Sequence, residues 1–188
     1  LTAFAGINGG SSAPTGLQLT GVNFALAIAT EQTTPATARE WTAVKASATG
    51  ANFVGVTGLT ATANAIDIAI TRKATDNTLV DYAAQSLAVQ TSTTANPSTI
   101  TLDLAANLGE VTRASGNLTI DAFGFLQVSG ALAFNKSTGS VKLGDLASTS
   151  SVNESADVSV NVLTIGGTGL SAFAGIGGGY TAGVLNSG

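Results

Sequence analysis

Apolar and polar positions alternate along most of this chain. Over residues 17–28 the apolar side chains fall at 17 and 19, then at 22, 24, 26 and 28, so the phase slips by one at Thr20-Gly21. Period-two alternation marks a strand, and a slip at glycine predicts a bulge or corner. Residues 41–70 run on almost without interruption. That exceeds an ordinary strand of roughly 3–10 residues, so the Thr49-Gly50 and Thr57-Gly58 pairs are expected to divide it. Further strand candidates are 80–89, 100–104, 158–162 and the punctuated stretch 111–134, broken at Ser115-Gly116, Phe123-Gly124 and Ser129-Gly130. Polar loops or turns are expected at 30–40 with Pro35, 72–77, 91–98 with Pro97, 135–140 and 144–157. No segment sustains helical spacing, and 104–113 is the one weak helix candidate.

The opening of the chain returns near its end. Leu-Thr-Ala-Phe-Ala-Gly-Ile-Asn-Gly-Gly at 1–10 recurs as Leu-Ser-Ala-Phe-Ala-Gly-Ile-Gly-Gly-Gly at 170–179, 169 residues later, with eight of ten positions identical. Such a return is expected of a tandem array, and it divides the chain into one period, 1–169, and the start of the next, 170–188. Within the period, residues 58–70 align without gaps on 16–28, matching Leu17/Leu59, Phe24/Ile66, Leu26/Ile68 and Ile28/Ile70. A looser Phe-x-x-(Ile/Val)-x-Gly recurs at 4–9, 53–58, 125–130 and 173–178. Its recurrence favours an all-β, elongated, β-solenoid-like repeat module with stacked corners. The alternative is an antiparallel meander or sandwich, with charged loops at hairpin ends and glycine pairs at bulges.

Composition narrows the function classes. The 188 residues are 44% hydrophobic, dominated by small aliphatics, and only 10% charged, with net charge -4. Disorder is therefore not expected, and the acidic balance speaks against a nucleic-acid partner. There is no Cys and no His, so thiolate sites, disulfides and the familiar catalytic triads are absent. No stretch reaches the roughly 18 apolar residues of a membrane helix, so membrane insertion is not expected.

Several segments together carry a resemblance: Trp41-Thr-Ala-Val-Lys-Ala, Phe53-Val-Gly-Val-Thr-Gly-Leu-Thr, Val80-Asp-Tyr-Ala-Ala-Gln, Arg113-Ala-Ser-Gly-Asn-Leu-Thr-Ile, Val128-Ser-Gly-Ala-Leu-Ala-Phe-Asn-Lys-Ser137 and Val162-Leu-Thr-Ile-Gly. In order along nearly the whole chain, they resemble the tandem repeats of very large, type I-secreted bacterial surface proteins of the LEPR-XLL type. The resemblance implies a secreted, cell-surface or matrix structural array. The LEPR-XLL signature and the Gly-Gly-x-Gly-x-Asp calcium nonapeptide are both missing from these residues.

Candidate chemistry is sparse. Asp67, Asp81, Asp103 and Asp121 sit in alternating segments, where a carboxylate row could bind calcium or act as an acid/base pair. One polar residue on the wet face of each strand explains them more simply. Lys45, Lys73, Lys136 and Lys142 lack the signature of a catalytic base, and the glycine clusters at 9–10, 166–167 and 177–179 read as turns rather than phosphate cradles. Thr60-Ala-Thr62 lacks the regular ladder of an ice-binding face. Asn117, Asn135 and Asn153 head Asn-x-Ser/Thr triplets, the last two in expected loops, and are taken as chance in a Thr/Ser-rich chain. Trp41, Tyr82 and Tyr180 are too scattered for a sugar-stacking platform.

The reading is a non-enzymatic structural repeat of an extracellular bacterial surface stalk, fibre or matrix adhesin. Its expected partners are identical neighbouring repeats, end to end, with cell-surface or matrix glycans as compatible ligands. No catalytic, cofactor or metal residue is assigned; calcium is compatible with the composition but supported by no motif. The second reading is a separate pilin-like subunit that polymerises by strand donation. A carbohydrate-binding or cleaving β-helix is the remote third.

Overall fold

The computed structural model describes residues 1–32, 38–93, 96–144, 157–176, 180–181 and 184–185. The strands are β1 (Ala3–Ile7), β2 (Thr15–Thr20), β3 (Asn23–Thr30), β4 (Glu40–Val54), β5 (Leu59–Arg72), β6 (Leu87–Gln90), β7 (Thr99–Leu102), β8 (Val111–Ala122), β9 (Leu126–Lys142), β10 (Asp157–Ala174), β11 (Tyr180–Thr181) and β12 (Val184–Leu185). Eight of them form one antiparallel sheet in the order β1-β2-β4-β5-β8-β9-β10, with β3 also pairing β4. The hairpins β6–β7 and β11–β12 form two separate two-stranded ladders.

The chain is all-β, as the alternation predicts, but it is a meander and not a solenoid. Sequential strands pair antiparallel, and the sheet runs from β1 to β10 without closing. The recurring Phe-x-x-(Ile/Val)-x-Gly has a different cause from stacked corners. Ile7, Val54, Leu59, Ala122, Leu126 and Ala174 all stand at one end of the sheet. The copies at 4–9, 53–58 and 125–130 adjoin the turns at that end. The longer polar connections gather at the other end, after Thr30, Arg72 and Lys142.

Most glycine pairs bend strands rather than end them. β2 and β3 are two halves of one line along β4, paired through Thr20↔Gly50 and Asn23↔Ser47. Between them Gly21 takes φ +59°, where a Cβ would collide with Thr49 Oγ1. Thr49 and Ala65 (φ +49°) drop out of the β4–β5 ladder at the same level, and β10 shifts register between Thr168 and Ser171, at Gly169. Thr49 Oγ1 donates to Thr20 O at 3.1 Å across this seam. The seam switches the alternation from odd to even positions in β2–β3, β4 and β5. The apolar residues of both halves thereby stay on one face. Only Thr57-Gly58 divides the 41–70 run into two strands.

Other expectations change. The 80–89 candidate shrinks to β6, because Asp81 accepts the backbone N–H groups of Ala83, Ala84 and Ala106 and holds residues 81–85 in turns. The helix candidate is a single 3-10 turn, Ala106–Leu108, ended by Gly109 at φ +69°. Residues 135–140 lie inside β9 rather than turning, 135–137 held between β8 and β10 and 138–140 paired with β10. The cores of the expected loops at 30–40, 91–98 and 144–157, and the Gly177–Gly179 cluster and Asn153, fall outside the described residues.

The tightly buried core is small and one-sided. Instead of returning directly from β5 to β8, residues 73–110 fold over one face of β3 and β4. Leu102 is fully buried there against Ala25, Ala43 and Tyr82, with Val80, Val89 and Ile100 around them. Buried Thr71 pins the return: its hydroxyl accepts from Val111 N at 3.0 Å and donates to Gly109 O at 3.2 Å.

Candidate interaction surface

Cross-strand partners share a face of a sheet, so the registers define the two surfaces. Phe24, Ala46, Ile68, Ala114, Phe134 and Ile165 form one row across β3, β4, β5, β8, β9 and β10. The next row is Leu26, Val44, Ile70, Thr112, Lys136 and Leu163. These rows are poorly covered: Ile165 is 71% exposed, Leu163 57% and Phe24 55%. The opposite face is polar below the seam, where Gln18, Asn52, Thr62, Thr119, Ser129 and Ser171 make one row. Above it, the 73–110 excursion covers β3 and β4. A contiguous apolar surface of this extent marks an interaction site or a liability to aggregate. Leu1, Val22, Phe24 and Leu26 also line an open groove of roughly 610 Å³ against Val89 and Gln90.

The four aspartates do not converge. Asp67 is exposed on β5, and Asp81 holds the turn just described. Asp121 accepts from Gly124 N at 2.9 Å and Gln127 Nε2 at 2.8 Å, closing the β8–β9 turn. Asp103 meets Lys45 Nζ at 3.0 Å, a partner 58 residues away in sequence and invisible to local spacing. Lys45 also donates to Thr101 O, which ties β7 to β4. Lys142 pairs with Asp157 across the β9–β10 hairpin at 3.0 Å. Among the described residues no three His, Cys, Asp or Glu side chains group as metal ligands.

A charged cluster unforeseen in the sequence sits where β3 passes to β4. Arg39 pairs with Glu31 and, at 3.3 Å, with Asp76, and its guanidinium lies 5.2 Å from the Trp41 ring centre. Hydrogen bonding from Arg39 holds Glu31 below the usual carboxylate range. Asp76 is lowered as well, first by the Thr78 hydroxyl and N–H and less by Arg39. Trp41 Nε1 donates to Thr78 at 3.1 Å, and Tyr82 is buried with its phenol pKa raised by that burial. The Tyr82 ring is buried, and Arg39 lies over the Trp41 ring. Asn117 donates to Asn64 Oδ1 across the β5–β8 ladder, and Asn135 lies mid-strand with its Oδ1 buried, so neither stands in a surface loop.

No helix of the described residues is long and apolar enough to cross a membrane. Protein-family models, curated proteins and solved structures give no match to this chain.

Proposed function

We propose that the chain is a structural repeat of an extracellular bacterial surface array, a stalk, fibre or matrix adhesin whose copies join end to end. The observation that carries this reading is the placement of the recurring decapeptide. Its first copy forms β1 at one outer edge of an open sheet, and its second copy ends β10 at the opposite edge. A closed domain has no use for identical strands on its two edges, whereas a linear array does. The exposed apolar face, the low charge and the resemblance to giant secreted repeats support the same reading. Protease treatment of intact producing cells tests it. Peptides of this sequence should be released without lysis; release only after lysis would remove the extracellular assignment.

The pilin-like reading is favoured by one specific feature. The second copy of the strand stands on an outer edge, with no strand paired to its other side among the described residues, as a donated strand requires.

A further inference from the structure

The two copies of the decapeptide strand have the same surroundings. β1 pairs Ala3↔Leu19, Phe4↔Gln18 and Ala5↔Leu17, while the end of β10 pairs Ala172↔Val128, Phe173↔Gln127 and Ala174↔Leu126. The flanking segments are themselves alike, Leu-Gln-Leu-Thr-Gly at 17–21 and Leu-Gln-Val-Ser-Gly at 126–130. One strand sequence is thus seen beside β2 in one place and beside β9 in the other.

The hydrogen bonds decide whether one strand can do both. In an antiparallel strand each residue sends its N–H and C=O to one side, and its neighbours send theirs to the other. Leu1 O accepts from Val22 N at 2.9 Å, so the odd positions of the first copy face β2. Gly6 and Gly16 agree with this: a Cβ on Gly6 would lie 2.7 Å from Gly16 Cα, the close approach of a non-hydrogen-bonded pair. In the second copy Gly175 N donates to Phe125 O at 2.9 Å, so Ser171, Phe173 and Gly175 face β9. Gly175 corresponds to Gly6, an even position. The two sets of bonds therefore use complementary groups, and no donor or acceptor is claimed twice.

We propose that the strand at 170–174 is shared by two copies of this sequence, bonded to β9 of one and, through its outer edge, to β2 of the next. The join is one continuous antiparallel sheet in a fixed register, with Ala172 opposite Leu19, Phe173 opposite Gln18 and Ala174 opposite Leu17 of the second copy. In a continuous polypeptide the shared strand is the second copy's own β1. Between separate chains it replaces β1 by an exchange of like for like. This rests on the repeat reading above and specifies how its copies meet.

Ala3→Pro with Ala5→Pro in the full chain removes the N–H groups that β1 gives to β2 and opens that edge. Sedimentation should then show concentration-dependent multiples of the single-chain mass. Adding Ala172→Pro, which removes an outward N–H while sparing the bonds to β9, should return the protein to single-chain mass. A second measurement uses the same chain with β1 opened by the two prolines. Gln18→Cys with Phe173→Cys gives a chain with no other cysteine and its two thiols at opposite sides of the sheet, so oxidation should yield a ladder of linked multimers. Moving the second thiol, by Ala172→Cys, should abolish the ladder, because residue 172 points to the other face. Persistence of single chains in both experiments, or indifference to Ala172→Pro, overturns the shared strand. Neither result depends on native polypeptide length. A native chain of many copies that fails these tests keeps the array and loses the shared strand.

Discussion

Single residues hold the seam that keeps the faces sorted. Gly21 needs positive φ and the space beside Thr49, so Gly21→Ala is expected to cost about 1–3 kcal/mol, read as a lower urea midpoint. Ala65 adopts the left-handed region with a Cβ, so Ala65→Gly should raise stability by about 0.5–1 kcal/mol in the same assay. The slip at Gly21 was legible from the alternation, because glycine broke it. The matching switches at Thr49 and Ala65 were not, since Ala and Thr fit either face and blur the phase. At Glu31 and Asp76 the lowered carboxyl pKa values mean a contribution present at neutral pH. It is lost as acidification passes below the ordinary carboxylate range and then through the lowered values. Glu31→Gln should therefore flatten the acid limb of a stability-against-pH curve, and the effect should shrink in high salt because the pair is exposed.

Among the elements, the 73–110 excursion carries the core. Leu102 is fully buried under it, and Leu102→Ala should destabilise by about 2–5 kcal/mol. Trp41 reports the event, because its indole bonds to Thr78 within the excursion: its fluorescence should shift before the long β8–β10 strands unfold. Strand identity was legible wherever apolar residues alternated, as in β3, β5 and β7. The 80–89 segment misled because Tyr82 is drawn into the core by tertiary packing and Asp81 turns the chain. The Lys45–Asp103 pair was hidden for a similar reason, since only the folding of β7 over β4 brings residues 58 apart together.

For the whole molecule, the choice between solenoid and meander was not written in the local pattern. Both place glycine at bends and apolar residues at every second position, and only strand pairing separates them. The rows that include Leu163 and Ile165 leave large apolar side chains exposed on one face of the sheet. Leu163→Thr with Ile165→Thr should leave the urea midpoint nearly unchanged, within about 0.5 kcal/mol per site, while reducing binding of an apolar dye. The proposed array sets copies of this unit in line, and the intact mass of the native polypeptide under denaturing conditions tests that claim most directly. A tandem array predicts a mass several times the 18.4 kDa of this chain. A mass equal to one copy would contradict it and leave strand exchange between separate subunits as the proposed route to assembly.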